Sequence, residues 1–279
     1  MTDGRDRNSA APLGISEPFQ HNFANRLIRF DKLVRTLEII GIDATNLEAN
    51  AAMRHIVRRD TGDNYTKYLF KLAAESGETI RTKEELARFD RKRKKSMSNK
   101  DWTCPVDPDS RISKMKKGNI DLTHKVEHSC DLDTGAVVAV NVAHADKGDT
   151  TTIKRSVAKS ADNLEKLCHH GEVKGFKVQI MESVVADKGY HSRSIIEKLA
   201  RAGVRTYISE PKRGRLKWKG KMRTQEYYYA NRNRIRNKTG VKLRKLSAEK
   251  VERSFAHCYT SGNMRRMHHR GSENIEKRL

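Results

Sequence analysis

The sequence predicts an α/β fold: a mixed sheet with helices on both faces and two basic insertions. Short apolar runs, several of them β-branched, alternate with segments whose apolar residues recur at helical spacing. Two further apolar runs flank a Gly-containing turn, as the strands of a hairpin do. Two segments rich in Lys and Arg interrupt this alternation. Together these features indicate strands and helices that share one sheet.

The first part of the chain predicts a helix, a strand and a mostly helical region. Apolar residues follow helical spacing over 22–38, and residues 38–49 form a short apolar strand that ends in polar residues. Residues 50–90 are predicted to be mostly helical, with a break near 61–63. The run RKRKK at 91–95 begins a basic linker.

The second part of the chain predicts alternating strands and helices. Residues 122–144 predict a hairpin with its turn at Asp133–Thr134–Gly135, and Val137, Val138, Val140 and Val142 favour a strand. The remaining elements are a helix over 150–169 that begins at a Thr, a strand at ESVVADKGY (182–190), a helix over 192–203 closed by Gly203, a strand over 204–211, and a helix over 247–259 capped by Ser247.

Without the insertions, the predicted order is β-β-β-α-β-α-β-α. This is the order of the ribonuclease H-like fold, a mixed sheet with helices on both faces. We therefore expect residues 1–37 to be an N-terminal tail with a helical remnant. Residues 38–279 are expected to form one ribonuclease H-like domain, with insertions at about 50–120 and 211–246.

The composition indicates an anionic partner. The 279 residues include 58 Lys and Arg against 35 Asp and Glu, which gives a net charge of +23. Nucleic acid is the commonest partner of a large basic chain. The sequence contains no run of 18 apolar residues and therefore predicts no membrane span. The N-terminus has no apolar stretch like that of a signal peptide. The four cysteines form no C-x-x-C pair, so zinc ribbons are excluded.

The second basic segment, 211–245, favours contact with a polynucleotide. It holds fourteen Lys and Arg and a single acid, Glu226, interleaved with Trp218 and Tyr227–Tyr229. Cations of this kind can pair with phosphates while the rings stack on exposed bases. The three tyrosines could equally form the buried face of a strand or helix.

Three carboxylates are candidates for a metal-binding catalytic site. Asp43 lies at the polar end of the first strand, Asp187 follows Val184–Ala186, and Glu252 lies on the last predicted helix. Carboxylates at strand ends can reach a pocket where the strands stop. Three such groups could converge on Mg²⁺, which prefers oxygen ligands, and two ions about 3.5–4 Å apart suit phosphodiester chemistry.

Spacing alone favours a local role for each acid. Asp43 could cap the segment that follows it, Asp187 could hold its turn by an Asx hydrogen bond, and Glu252 could pair with Arg253 or Lys250. Other carboxylates compete for a metal role, and Asp133 is best explained by the Asp-Thr-Gly turn. The competitors are Asp131, Asp133, Asp146, Asp149 and, on the last helix, Glu249.

Four stretches together resemble a known family. They are GIDATNLEANAAM (41–53), DPDSRISKMKKGNIDLTHKVEHSCDLDTGAVVAVNVAHADKGDTTTI (107–153), VVADKGYHS (184–192) and VERSFAHCYTSGNMRRMHHRGSENIEKR (251–278). In this order they are similar to the DDE-type transposases of bacterial insertion sequences. ADKGY and VERSF are the most specific of these motifs, whereas the motif of the first acid is short.

The resemblance implies a catalytic site and a reaction. It makes Asp43, Asp187 and Glu252 the catalytic acids and the ligands of Mg²⁺, with Mn²⁺ as a substitute. It implies a ribonuclease H-like fold, cleavage of double-stranded DNA at the element's ends, and attack of the freed 3′-hydroxyl on target DNA. It further implies a homo-oligomer on DNA, no membrane, and a cytoplasmic, nucleoid-associated location. The DNA-binding residues that we predict are Lys188, Arg253, His257, Lys212, Arg213, Arg215, Lys217, Arg234, Arg265 and Arg266.

The chain departs from these relatives in three places. Only 42 residues precede Asp43, the chain stops at Leu279 without a further apolar helix, and Lys245 and Ala248 stand where some relatives have Tyr and Arg. We therefore expect a copy truncated at both ends. Two alternatives stay open: an inactive copy that binds DNA by charge alone, and a ribonuclease H-like nuclease.

Overall fold

The computed structural model describes residues 37–94, 97–115, 118–174, 181–212, 214 and 216–279. The tail and the helix predicted over 22–38 lie outside the described residues, apart from the last two positions of that helix.

The described part of the chain contains eight strands, seven α-helices and two 3-10 turns. The strands are β1 (Ile39–Glu48), β2 (Val57–Arg58), β3 (Trp102–Thr103), β4 (Arg111–Lys114), β5 (Ile120–Asp131), β6 (Val137–His144), β7 (Ser183–Ala186) and β8 (Arg205–Ile208). The helices are α1 (Tyr65–Glu75), α2 (Lys83–Lys92), α3 (Asp149–Lys174), α4 (Arg193–Arg201), α5 (Met222–Arg236), α6 (Lys238–Thr260) and α7 (Ser272–Arg278). The 3-10 turns are Met53–His55 and Lys188–Tyr190. Across the described residues, no helix is both long and apolar enough to cross a membrane.

Six strands form one mixed sheet in the order β4-β5-β1-β7-β8, and β6 also pairs with β5. β5 runs antiparallel to β1, whereas β7 runs parallel to both β1 and β8. β4 pairs with the first residues of β5 and β6 with the later ones. The predicted fold class is confirmed: the sheet is mixed and agrees with a ribonuclease H-like fold.

Helices cover both faces of the sheet because side chains along β1 alternate between them. Ile40 and Ile42 join Ile153 of α3 and Ile195 of α4 in the largest hydrophobic core. On the opposite face, α6 lies directly on Gly41, where an added Cβ would be 2.6 Å from Leu132 Cδ2 and from Ser247 Oγ. The helix therefore approaches the sheet at a position without a side chain.

The segment between β1 and β5 forms a small unit with its own core. β2 and β3 pair as a two-stranded sheet, and Trp102 is buried against Tyr65 and Tyr68 of α1. The prediction of a mostly helical 50–90 was correct for α1 and α2 and wrong for residues 53–58. There the chain forms a 3-10 turn and then β2, since Arg58 pairs with Trp102.

The second predicted insertion is mostly helical, and its predicted boundary at 246 lies inside α6. The prediction that Ser247 caps the last helix was wrong. Asn237 is the cap, because its Oδ1 accepts a hydrogen bond from Gly240 N at 2.7 Å. Ser247 lies buried in the middle of α6 and faces Gly41. A small residue is needed there because the helix and β1 are so close.

Candidate active site

Two of the predicted acids lie side by side at one edge of the parallel strands. The pairing of β1 with β7 ends with Ile42 opposite Ala186, and Asp43 and Asp187 are the next residues. The strand predicted over 38–49 is confirmed as β1, and Asp43 lies within it, because β1 continues to Glu48 through its pairing with β5. What stops at this point is β7, and this leaves β1 without a paired strand on that side until Glu48, whose backbone bonds to Arg265 and Met267.

The third predicted acid lies on the helix that crosses this edge. Gly41 and Thr45 flank Asp43 on the same face of β1. Gly41 contacts the helix near Val251, and Thr45 Oγ1 is hydrogen-bonded to Tyr259 OH at 2.7 Å. The stretch of α6 between Val251 and Tyr259 therefore passes over Asp43, and Glu252 belongs to that stretch.

Glu252 lies on the flank of α6 that is turned away from β5. Ser254 Oγ is 2.8 Å from Nδ1 of His128, the β5 residue opposite Asp43. Two residues along an α-helix are about 200° apart around its axis. Glu252 is therefore on the other side of α6 from Ser254, the side on which β7 and Asp187 lie.

The local hydrogen bonds considered for Asp43 and Asp187 are present. Asp43 Oδ1 accepts from Ala44 N at 2.8 Å, and Asp187 Oδ1 accepts from Lys188 N at 2.6 Å. Both residues and Glu252 are exposed. A carboxylate has two oxygens and about four acceptor sites, so such a bond leaves room for a metal ligand.

The donor set suits Mg²⁺, which binds carboxylate oxygens and keeps water or phosphate in its other positions. Within the described ranges, no three His, Cys, Asp or Glu side chains lie close enough together to hold an ion. The three acids are thus suitable ligands for Mg²⁺ and lie at the same edge of the parallel strands. Binding one ion through all three would need a closer approach of their side chains.

The competing carboxylates have structural partners. Asp131 Oδ2 accepts from Thr134 N at 2.7 Å and from Thr134 Oγ1 at 2.5 Å. Asp131, and not Asp133 as predicted, therefore secures the hairpin turn. On the last helix, Glu249 pairs with Arg253 at 2.7 Å. A further competitor, Asp146, lies 3.8 Å from Arg111.

Sequence reasoning missed a buried polar group beneath the acids. We call Lys125, Glu127, Asp149 and Tyr190 the Glu127 cluster. Lys125 Nζ lies 2.6 Å from Asp149 Oδ1 and 3.2 Å from Glu127 Oε1, and Tyr190 OH donates to Glu127 at 3.2 Å. The available signal was a pair of opposite charges two residues apart in a predicted strand, which places both on one face.

A cavity of about 570 Å³ opens beside Asp43, and its lining begins at Ala44 and Thr45, the next two residues of β1. Its lining includes the exposed cations Lys114, Lys147 and Arg265. The Arg265 guanidinium lies 5.5 Å from the centre of the Tyr259 ring, which also lines the cavity. Among the predicted DNA-binding residues, Arg265 is thus placed next to the acidic edge.

Two other predicted DNA contacts lie elsewhere on α6. Arg253 and His257 line a separate cavity of about 360 Å³ beside the hairpin turn, together with Lys250 and Gly135. Arg253 also pairs with Glu249. The structure therefore does not bring these two residues to the cavity at Asp43.

Arg234 has a structural role, which removes the basis for predicting it as a DNA contact. Its Nε donates to Thr206 O at 3.0 Å and its Nη2 lies 3.3 Å from Thr206 Oγ1, so it ties α5 to the outer strand β8. Burial lowers the pKa of this guanidinium. A side chain that is committed to the sheet in this way does not reach a phosphate.

The other predicted cations are mostly on the surface. Lys188, Lys212 and Lys217 are exposed, and Arg266 is exposed with its Nε 3.9 Å from Glu48. Arg213 and Arg215 lie outside the described residues.

The aromatic residues of the second basic segment form a packed group. Tyr228 is buried, donates to Glu210, and lies 5.1 Å from Trp218 between ring centres. The alternative of a buried helix face is therefore correct for Tyr228. Tyr229 is 36% exposed and lies under the guanidinium of Arg232 at 5.0 Å.

Comparison with known proteins identifies the family. The family profile described as Transposase DDE domain matches residues 101–279. The match includes Asp187 and Glu252, whereas Asp43 precedes its first residue. No curated protein matches the chain significantly. Because the profile covers well over half of the chain, the protein belongs to the transposase DDE domain family, a class of metal-dependent enzymes of DNA transposition.

Proposed function

We propose that this protein cleaves DNA at the ends of an insertion sequence and joins the freed 3′-hydroxyl to target DNA. One observation carries the proposal. In a chain with a transposase DDE domain, Asp43 and Asp187 are neighbours where β7 stops, and α6 brings Glu252 across the same edge.

In this proposal Asp43, Asp187 and Glu252 hold Mg²⁺, with Mn²⁺ as a substitute. Bound ions of this kind activate the attacking oxygen and stabilise the leaving oxygen of a phosphodiester. The three acids act as metal ligands and not as general acids. Their exposure at the edge of the sheet lets a DNA backbone reach them from solvent.

The cavity beside Asp43 is our proposed path for the DNA strand. Two of the three acids in its lining are offset by neighbouring cations, since Asp149 pairs with Lys125 and Glu48 lies near Arg266. The exposed cations Lys114, Lys147 and Arg265 then face the phosphates. Charged contacts of this kind fix the position of a duplex without specifying its sequence.

Double-stranded DNA is the expected partner, and a homo-oligomer on DNA is part of the proposal. The net charge of +23 favours binding to a polyanion. Two element ends must be held together before joining, which takes at least two protomers when each provides one active site. Gel filtration with paired-end DNA tests this assembly, and a complex with one protomer per end pair would contradict it.

The test of the proposed function is cleavage of a supercoiled plasmid that carries the DNA flanking the gene on both sides. Wild type, Asp187→Ala and Glu252→Gln are compared in Mg²⁺, Mn²⁺ and EDTA. Glu249→Gln is the control, because Glu249 is an exposed acid on the same helix and pairs with Arg253. We expect metal-dependent cleavage by wild type and Glu249→Gln, at least 100-fold slower cleavage by the other two, and joined products on sequencing.

Each other result has a defined meaning. Cleavage without joined products would indicate a nuclease. Binding of DNA without cleavage by the folded wild type would indicate an inactive copy. Equal loss of activity in Glu249→Gln and Glu252→Gln would contradict the special role of Glu252.

A further inference from the structure

The second acid sits on a short turn with few anchors of its own. β7 ends at Ala186, and Asp187 begins the 3-10 turn Lys188–Tyr190. Asp187, Lys188 and Gly189 are all exposed, whereas Tyr190 is 1% exposed. The position of the Asp187 carboxylate therefore depends on what holds Gly189 and Tyr190.

Tyr190 fixes the far end of this turn through its hydroxyl. The ring belongs to the core between the sheet and α3, and its OH donates to Glu127 Oε1 at 3.2 Å. Burial and the nearby Glu127 carboxylate raise the pKa of Tyr190, so the phenol keeps its proton and remains a donor.

Gly189 lies close against the carboxylate of Asp149. A Cβ atom added at Gly189 would lie 2.1 Å from Asp149 Oδ2, so an alanine there would have to displace the Asp149 carboxylate. The other oxygen of Asp149 accepts from Lys125 Nζ at 2.6 Å. The same ammonium lies 3.2 Å from Glu127 Oε1, so it links the two carboxylates that contact the turn.

Glu127 is in turn fixed by two other elements. Its carboxylate is fully buried and accepts hydrogen bonds from Thr152 Oγ1 and Ser156 Oγ of α3, and from Asn141 Nδ2 of β6 at 3.3 Å. A buried polar group with all of its partners in place rigidifies its surroundings. The Glu127 cluster thus connects the turn to the hairpin and to the longest helix.

We propose that the Glu127 cluster holds Asp187 in position for metal binding, with Tyr190 and Asp149 as positioning residues. The inference rests on the proposed function, because it assumes that Asp187 is a metal ligand. It accounts for the Asp-Lys-Gly-Tyr sequence as one unit. Asp187 binds, Gly189 makes room for Asp149, and Tyr190 donates to Glu127.

The test measures Mn²⁺ binding by calorimetry in the absence of DNA, together with thermal unfolding. Tyr190→Phe removes one hydroxyl and keeps the ring. The matched control is Tyr228→Phe, because Tyr228 is also 1% exposed and its hydroxyl also donates to a glutamate, Glu210. We expect Tyr190→Phe to raise the Kd for Mn²⁺ about tenfold and Tyr228→Phe to change it less than about twofold, at a similar loss of thermal stability.

A second set of variants tests the contact at Gly189 without relying on Tyr190. Gly189→Ala is expected to weaken Mn²⁺ binding because its Cβ strikes Asp149. In an Asp149→Ala background that obstacle is gone, so adding Gly189→Ala should cause no further loss. A further loss of the same size in that background would overturn the contact as the cause.

Asp187→Ala separates the two levels of the proposal. If it binds Mn²⁺ as wild type does, the metal role of Asp187 fails and the inference fails with it. If Asp187→Ala loses binding but Tyr190→Phe keeps the wild-type Kd, only the inference is overturned. Equal weakening by Tyr190→Phe and Tyr228→Phe would also overturn it, since the effect would then reflect stability.

Discussion

Gly41 shows how one residue sets the geometry of the candidate site. A Cβ at this position would lie 2.6 Å from Ser247 Oγ and 3.2 Å from Val251 Cγ2. Asp43 is the next residue on the same face of β1, and Glu252 follows Val251 on α6. The absence of a side chain at Gly41 therefore allows the first and third acids to approach each other.

His128 lies opposite Asp43 on β5 and links local structure to pH. It stacks on Phe255, with ring centres 4.1 Å apart, and is hydrogen-bonded to Ser254. Burial lowers the pKa of His128 to about 4. In the unfolded chain this histidine has an ordinary pKa near 6.5. Between about pH 4 and pH 6.5, His128 is therefore protonated in the unfolded chain and neutral in the folded chain.

We expect the free energy of unfolding to fall as the pH decreases from about 6.5 to about 4, with a contribution from His128 of at most about 3 kcal/mol. His128→Phe keeps a ring beside Phe255 and removes the titration. Urea unfolding at pH 4.5 and pH 7 should show a smaller difference for the variant than for wild type. Equal differences would exclude His128 as the source.

At the scale of elements, the junction between α5 and α6 explains the incorrect helix start. Asn237 and Ser247 are both good N-cap residues, and sequence alone does not choose between them. The choice is made by packing. Gly240 follows the turn so closely that a Cβ there would lie 2.0 Å from Arg234 O, which fixes the corner at Asn237.

Paired alanine substitutions test this assignment. Asn237→Ala removes the side-chain acceptor of Gly240 N and should destabilise the protein by about 1 kcal/mol. Ser247→Ala should change stability by less than about 0.5 kcal/mol, because Ser247 caps nothing and Ala fits against Gly41. Chemical denaturation measures both. A larger loss of stability for Ser247→Ala than for Asn237→Ala would contradict the assignment of Asn237 as the cap.

The elements with strong periodicity were predictable from sequence, and those decided by tertiary contacts were not. The hairpin of β5 and β6 and the helix closed by Gly203 follow from local patterns, and Gly203 has φ +80°. β2 was missed because two residues paired with β3 leave no pattern. The three acids were named from motifs, whereas their shared edge follows only from strand register.

The Glu127 cluster was missed for a related reason. Lys125 and Glu127 stand in β5 at positions where a sequence pattern predicts an exposed face, yet their side chains are buried. Burial is possible because they pair with each other and with groups from β6, α3 and the Asp187 turn. Such compensation depends on contacts between distant segments.

At the scale of the whole molecule, the excess of positive charge is partly committed to the fold. Arg234 bonds to Thr206, and Arg232 pairs with Glu210. Arg265 instead is exposed at the cavity beside Asp43. Net charge therefore predicts binding to DNA, while the structure distinguishes the cations that are free to contact DNA from those that are bonded within the fold.

The salt dependence of DNA binding tests this separation. Affinity for a duplex in EDTA should fall linearly with ionic strength on logarithmic axes, with a slope that counts phosphate contacts. Arg265→Ala should reduce that slope by about 1, and Arg234→Ala should leave it unchanged. Fluorescence anisotropy over a salt series measures the slopes. The reverse order for the two variants would contradict the structural assignment.

A change of metal preference shows whether Asp187 shares a divalent ion with Asp43 and Glu252. Asp187→Cys replaces a carboxylate oxygen with sulfur, which binds Mg²⁺ poorly and softer metals better. Plasmid cleavage by this variant should be lost in Mg²⁺ and at least partly restored in Mn²⁺, whereas wild type works in both. Full activity of Asp187→Cys in Mg²⁺ would contradict metal binding at this position.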